Sequence, residues 1–181
     1  MKHIILSDMN IDTDKPQIML WDSLYQGTPE YNSIYEFVLE NGLMRNLGEI
    51  IEVNHERYPI GDDEIKKALV ARTTAGDIAG FILIDAYDLS TKLSELFIQY
   101  IVINPKYQHQ GYGEAILNEL LHNPENYIGA KPSFVFSAID KNNKASQNLY
   151  RKMGFKFRPY NHESFLQAYQ NTFELSSQPG E

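Results

Sequence analysis

Gln108-His109-Gln110-Gly111-Tyr112-Gly113 is the part of this 181-residue chain whose residue types and spacing best suit chemistry. That chemistry is the holding of phosphate oxygens. Two glycines let the backbone approach a ligand closely and aim several N–H groups at one point. The run follows an apolar, β-rich segment, Leu96 to Ile103, and opens an apolar-patterned helix expected from Glu114 to His122. The start of that helix adds partial positive charge where the amides converge. Two familiar phosphate loops do not fit. A nucleoside-triphosphate loop needs Lys and then Ser or Thr after its last glycine, where Glu114 and Ala115 stand; a dinucleotide fingerprint needs a third glycine, where Ile116 stands.

A second stretch lies roughly thirty residues on. Asn143-Lys144-Ala145-Ser146-Gln147-Asn148-Leu149-Tyr150-Arg151-Lys152-Met153-Gly154-Phe155 reads as one short helix stopped by a glycine. Ala145, Leu149 and Met153 recur every four residues and are expected to face the core. Asn143 is a natural N-cap for this helix.

Together the two segments resemble the GNAT superfamily of N-acetyltransferases. The first matches the family's Gln/Arg-x-x-Gly-x-Gly/Ala loop, with Ile103-Asn104-Pro105-Lys106-Tyr107 leading in. The second matches its Asn-x-x-Ala/Ser-x-x-Leu-Tyr-x-Lys-x-Gly-Phe helix. The motif-bearing part covers about residues 78–158. The resemblance implies an acyl-coenzyme A N-acyltransferase fold: α/β, with a mixed, mostly antiparallel sheet splayed at the cofactor site and flanked by helices.

The resemblance also implies roles. The main chain of Ile101, Val102 and Ile103 pairs with the pantetheine arm as another strand would, and one of its N–H groups stabilises the oxyanion. Gln108, His109, Gln110, Gly111, Tyr112 and Gly113 hold the pyrophosphate through backbone amides; Gln108 stands where many relatives carry Arg, so it brings no charge. Asn143 and Ser146 are further cofactor contacts. Tyr150 is the general acid that assists the departing thiolate. An alkylamine is mostly protonated at neutral pH and must lose a proton before it attacks. Where some relatives carry a basic Glu, this chain has Phe97. Strand alternation puts Glu95, Phe97, Gln99 and Ile101 on one face, so Glu95 is the candidate base, with Asp85 and Tyr87 as weaker alternatives.

Composition narrows the field further. A chain of this length is expected to form one domain, residues 1–181. It has no cysteine, hence no disulfide and no thiolate nucleophile. The five histidines are scattered without ligand spacing, so no metal site is expected. The first residues turn polar too soon for a signal peptide, and no apolar run suits a membrane span; the expectation is a cytoplasmic protein. Net charge is −8 but unevenly placed. Residues 1–64 hold 13 acidic and 4 basic side chains, whereas residues 131–158 hold Asp140 alone against seven bases. A polyanionic cofactor at the basic end and a cationic amine at the acidic end would suit that division, and so would simple solubility. An acidic chain without a basic, aromatic-interleaved stripe is a poor nucleic-acid partner. Monomer and homodimer are both compatible with the sequence.

The remaining elements are the frame for these residues. Strands are expected at His3 to Leu6, Ala68 to Thr73, Ile78 to Tyr87, Phe134 to Ile139 (a buried one), Phe155 to Arg158 and Leu166 to Leu175. Helices are expected from Thr28-Pro29 through Ile34, Phe37 and Val38 to Gly42, and from Leu47 to Val53. Gly61-Asp62-Asp63, Thr74 to Asp77, Asp88 to Lys92 and Asn123 to Asn126 read as breaks or turns, and residues 176–181 as a frayed tail. Trp21, Tyr25, Tyr31, Tyr35 and Tyr58 lie in the acceptor-wall region of relatives, where core packing explains most of them. The function expected is acetyl transfer from acetyl-coenzyme A to an amine by direct attack. The alternatives are a coenzyme A-binding module without turnover and, more distantly, an acidic docking protein.

Overall fold

The computed structural model describes residues 2–23, 51–53, 56–58, 63–160 and 163–172. The expected helix from Thr28 to Gly42, the Gly61-Asp62 break, Tyr25, Tyr31, Tyr35 and the 176–181 tail lie outside the described residues. The strands described are β1 (Ile4–Asp8), β2 (Ile51–Val53), β3 (Glu56–Tyr58), β4 (Ile65–Thr73), β5 (Ile78–Tyr87), β6 (Glu95–Ile103), β7 (Phe134–Asp140), β8 (Lys156–Pro159) and β9 (Phe165–Asn171). The helices are α1 (Ile11–Met19), α2 (Tyr112–His122), α3 (Glu125–Ile128) and α4 (Lys144–Lys152).

Seven strands form one sheet in the order β1-β4-β5-β6-β7-β9-β8, and β2 and β3 form a separate ribbon. β1 runs antiparallel to β4, and β9 antiparallel to both β7 and β8, while β6 and β7 are parallel. The fold is the mixed, mostly antiparallel α/β sheet with flanking helices that the sequence implied. The chain gathers into two compact units. One comprises Met1–Asp62, Lys66–Leu83 and Tyr100–Ile116; the other comprises Asp63–Ile65, Ile84–Gln99 and Leu117–Glu181.

The first unit packs Met9, Ile18, Trp21, Ala68, Val70, Ile78, Phe81 and Leu83 into its core, with Trp21 stacked on Phe81 at 6.0 Å. Burial of these apolar side chains is the main stabilising term. The α1 start is a reciprocal cap. Asn10 Oδ1 accepts the Asp12 and Thr13 amides at 3.0 and 3.2 Å, and the Asn10 amide donates to Asp14 Oδ2 at 2.8 Å. Asp14 is fully buried, and Arg72 of β4 pairs with it. A buried carboxylate needs such a partner to offset its desolvation.

The second unit is organised by β7, whose alternation sends Val135, Ser137 and Ile139 inward and leaves Phe134, Phe136 and Ala138 half-buried. The strand was expected to be buried, and one of its faces is. Phe97, Phe134, Phe136 and Tyr169 form an aromatic row there, with Phe97 stacked on Phe136 at 4.8 Å.

Several local expectations shift. Residues 51–53 are strand rather than the end of a helix, because Ile51-Glu52-Val53 pairs in register with Glu56–Tyr58. The breaker at Asn123 to Asn126 only begins a break: Glu125–Ile128 makes one helical turn that Gly129 closes at φ +72°. β1 and β8 each lie slightly C-terminal of their expected positions, and β4 begins three residues earlier than expected. Among the described residues, no helix is long and apolar enough to cross a membrane.

Candidate functional site

The glycine loop is held from both ends. Asn104 donates its amide to Ala79 O at 2.9 Å and its side chain to Ile78 O at 3.0 Å, fixing the exit of β6. Its Oδ1 accepts the Lys106 amide at 3.0 Å and caps the single turn Pro105–Tyr107. Tyr107 donates its hydroxyl to Asp77 at 2.7 Å and packs edge-on against Tyr112 at 5.2 Å. The hydrogen bond to Asp77 also raises the Tyr107 pKa.

Within the loop the chain twice enters the left-handed region, at His109 (φ +58°) and Gly111 (φ +86°). The second place needs glycine for its conformation rather than for space, since an added Cβ would meet only Lys2 Cγ at 4.0 Å. α2 starts at Tyr112, two residues earlier than expected, so Gly113 lies in its first turn. The helical bonding begins with the Ala115 amide on Gly111 O at 3.1 Å. The earlier amides of Tyr112 and Gly113 sit in the first turn, where a helix leaves its N–H groups without intrahelical partners.

Side chains of the loop are turned back on its own backbone. Gln108 Nε2 donates to Ile103 O at 3.2 Å and Gln110 Nε2 to Lys106 O at 2.8 Å, while His109 is exposed. One cation missed by the sequence reading lies here: Lys2 Nζ sits 5.4 Å from the centre of the Tyr112 ring. Ile101, Val102 and Ile103 are half-buried, and Val102 packs on the first unit's core. Beside them, Gly80 on β5 has no room for a side chain, because an added Cβ would lie 2.6 Å from Val102 O.

In the second unit, β6 and β7 pair only from Glu95↔Phe134 to Phe97↔Phe136, although the unit's share of β6 runs to Gln99 and β7 runs to Asp140. Ser137, the first β7 residue past that ladder, is buried near Tyr150. Tyr150 is 1% exposed and packs edge-on against Phe155 at 4.9 Å. Burial pushes its pKa well up and the nearby Ser137 hydroxyl draws it partly back, so at neutral pH the hydroxyl keeps its proton.

α4 presents a different face from the one expected. Gln147 and Tyr150 are buried, whereas Ala145 is exposed and Leu149 and Met153 are half-buried. The reason is that Gln147 is tied to the end of β7, donating to Asp140 O and Lys141 O at 3.2 and 2.8 Å. That bond rotates the helix so that the buried pair is spaced by three rather than four. Asn143 caps α4, its Oδ1 accepting the Ser146 amide at 3.0 Å, which leaves the Ser146 hydroxyl for any further contact.

The base candidates separate clearly. Glu95 is half-buried inside the β6–β7 ladder. Asp85 is fully buried, and its Oδ2 accepts the Tyr87 hydroxyl at 3.1 Å and Gln99 Nε2 at 2.5 Å. Alternation on β6 is as expected through Gln99: Leu96 and Ile98 are buried, Glu95, Phe97 and Gln99 half-buried. All seven bases of residues 131–158 are exposed; Arg151 lies over Phe157 at 4.9 Å and Arg158 over Tyr169 at 4.8 Å. No group of three or more potential metal ligands occurs among the described residues.

The sequence missed Ser137, Gln147 and the Asp85–Gln99 bond. A lone hydroxyl in the apolar run Phe134-Val135-Phe136-Ser137-Ala138-Ile139 was the available signal for the first. A sheet carrying a glycine loop at a strand–helix junction, with a buried tyrosine on a later helix, is the arrangement of an acetyltransferase class. The model of the GNAT acetyltransferase family matches residues 29–155, and the chain belongs to that family.

No curated protein sequence matches the chain. Solved structures share its fold. A chimera of the Vibrio cholerae spermidine N-acetyltransferase aligns with a TM-score of 0.61 at 13% identity, covering 97% of this chain and 99% of that one. The PaiA N-acetyltransferase of Thermoplasma acidophilum, in complex with coenzyme A, aligns at 0.58 and 16% identity, over 93% and 99% of the two chains. The Escherichia coli ribosomal-protein-S18-alanine N-acetyltransferase aligns at 0.54 and 17% identity, over 92% and 91%.

Proposed function

We propose that the protein transfers an acetyl group from acetyl-coenzyme A to a primary amine by direct attack. The observation carrying this reading is the early end of the β6–β7 ladder, with the buried, proton-bearing hydroxyl of Tyr150 near the next β7 residue, Ser137. The main chain of Ile101, Val102 and Ile103 takes the pantetheine arm as a strand, and one amide there stabilises the oxyanion. Gln108 to Gly113 holds the pyrophosphate with Gly111, Tyr112 and Gly113 amides, at the positive end of α2. Asn143 keeps α4 capped while Ser146 offers its hydroxyl to the cofactor. Tyr150 gives its proton to the leaving sulfur, and Glu95 is the carboxylate on β6 assigned to the amine.

A second reading, a module that binds coenzyme A without turnover, is favoured by one residue: Phe97 stands where a carboxylate base would. Melting with acetyl-coenzyme A, coenzyme A and ATP tests the cofactor. A ligand at about 100 times its Kd adds roughly 2.7 kcal/mol. A shift with both coenzyme A forms and none with ATP is the expected result; no shift at millimolar ligand overturns the assignment. Thiol release with a panel of amines then separates enzyme from module, without interference from protein thiols because the chain has no cysteine.

A further inference from the structure

The acetyl-transfer reading gives the glycine loop a doubly charged pyrophosphate but no fixed positive charge to hold it. Gln108 stands where many relatives carry Arg, and with histidine neutral Glu114 is the one charged side chain of residues 108–114. We propose that Lys2 supplies the missing charge as a binding residue for the pyrophosphate of coenzyme A; the inference rests on that acetyl-transfer reading and deepens its cofactor site.

Topology brings Lys2 there. β1 pairs antiparallel with β4 beginning at Ile4↔Thr73, so the residue before the strand lies at the end of the sheet where β4 turns into β5. That turn is closed by the Thr73 amide on Asp77 O at 2.8 Å. The exit of β6 is fastened to the same place. Tyr107 donates its hydroxyl to Asp77 at 2.7 Å, and Asn104 donates to Ile78 O and Ala79 O. Lys2, the β4–β5 turn and the loop are far apart in the chain, yet all belong to the first unit.

The side chain is seated as well as near. Its stem runs beside the loop, since a Cβ added to Gly111 would meet Lys2 Cγ at 4.0 Å. Its Nζ lies 5.4 Å from the centre of the Tyr112 ring, whose negative face attracts the ammonium. That ring is a firm seat: it is 8% exposed and braced edge-on by Tyr107 at 5.2 Å. A lysine carries three donors on one compact charge, so an ammonium resting on a ring still has N–H groups to give to phosphate oxygens. Gly111, Tyr112 and Gly113, the residues assigned the pyrophosphate through their amides, are therefore the ones Lys2 lies against. Lys106 is the comparison: its Nζ is 5.2 Å from the ring of Tyr107, which belongs to the turn before the loop.

The test is calorimetric titration with coenzyme A and with dephospho-coenzyme A, which keeps the pyrophosphate and lacks the 3′-phosphate. The variants are Lys2→Gln, Lys2→Arg, Lys106→Gln and, as a charge-matched control, Lys92→Gln at an exposed turn lysine. Expected for Lys2→Gln at about 50 mM salt is a Kd about tenfold higher for both ligands, shrinking to about threefold near 500 mM, where screening weakens the wild-type contact. Lys2→Arg should stay within about threefold of wild type, and Lys106→Gln and Lys92→Gln within about twofold. The melting temperature of each variant without ligand is the folding control. Three results overturn the inference: a Lys2→Gln loss below about twofold, an equal or larger loss in Lys106→Gln or Lys92→Gln, or a loss that salt leaves unchanged. A loss confined to coenzyme A and absent with dephospho-coenzyme A also overturns it, moving Lys2 to the 3′-phosphate. Wild type that binds neither ligand at millimolar concentration sinks the acetyl-transfer reading itself, a different result from any of these.

Discussion

The glycine loop and the surroundings of Tyr150 are built by opposite means. In the loop, backbone amides face the proposed ligand, while the Gln108 and Gln110 side chains are tied to carbonyls of their own segment. Around Tyr150 the backbone is taken up by the β7–β9 ladder and by α4, and the chemistry we propose falls to a single side chain, 1% exposed. A backbone site tolerates changes of side chain but not of conformation. A side-chain site has the opposite sensitivity, and this contrast can be broken by substitution.

The largest effect is expected at Tyr150. Tyr150→Phe should lower kcat by about 100-fold while leaving the coenzyme A melting shift intact, read by thiol release and melting on one preparation. An unchanged kcat would move the protein to the non-catalytic reading. Next comes Gly80→Ala, whose Cβ would meet Val102 O at 2.6 Å. Overpacking against backbone should cost about 1–3 kcal/mol in urea unfolding and weaken coenzyme A binding with it. In the loop, Gly111→Ala should cost about 1–2 kcal/mol through its φ of +86° and remove most of the coenzyme A shift, whereas Gln108→Ala should keep most of it. If Gln108→Ala abolishes binding and Gly111→Ala does not, the loop works through side chains and the comparison fails.

A smaller effect concerns pH. Tyr150 has its pKa raised by burial, so the folded state holds this proton longer than the unfolded chain, whose tyrosines titrate near 10. Its contribution to stability is therefore constant below about pH 10 and falls as pH rises further, at up to about 1.4 kcal/mol per unit. Tyr127, likewise raised by burial and by its 2.8 Å bond to Glu119, adds to that slope. Urea unfolding between pH 9 and 11, with Tyr150→Phe for comparison, should show the slope reduced in the variant. Smallest is His109→Gly, which relieves a left-handed residue at φ +58° and should gain up to about 1 kcal/mol with coenzyme A affinity unchanged.

The same contrast decides what the sequence could reveal. The loop was readable because backbone function leaves a compositional trace: glycines at fixed spacing after a β-rich run. The strands from Ile78 to Tyr87 and up to Ile103 were readable from their turns and apolar content. The role proposed for Tyr150 comes only from the family motif, since an amphipathic-helix tyrosine is ordinarily a core residue, as the burial of Tyr150 also has it. The α4 face was misread because apolar spacing at Ala145, Leu149 and Met153 says nothing of Gln147, whose bonds to Asp140 O and Lys141 O set the rotation. Asp85 and Tyr87 lie two residues apart on β5 and Gln99 on β6, and only the fold reveals that Tyr87 and Gln99 meet at one oxygen of Asp85. Residues 51–53 were too short a run for periodicity to tell helix from strand.

The three-pair ladder between β6 and β7 has one more consequence, which concerns solubility. β7 is paired along its full length to β9, yet its other edge has no β6 partner beyond Phe136. An interrupted ladder inside a sheet presents the same unpaired donors and acceptors as an outer edge strand, the usual template for intermolecular pairing. A pantetheine arm pairing with β6, as proposed above, would bring its own strand-like hydrogen bonds to that strand. The cofactor would then also act as a cover against self-association. Light scattering during slow heating should rise earlier in cofactor-free protein than in protein saturated with coenzyme A, by more than the difference in melting temperature alone.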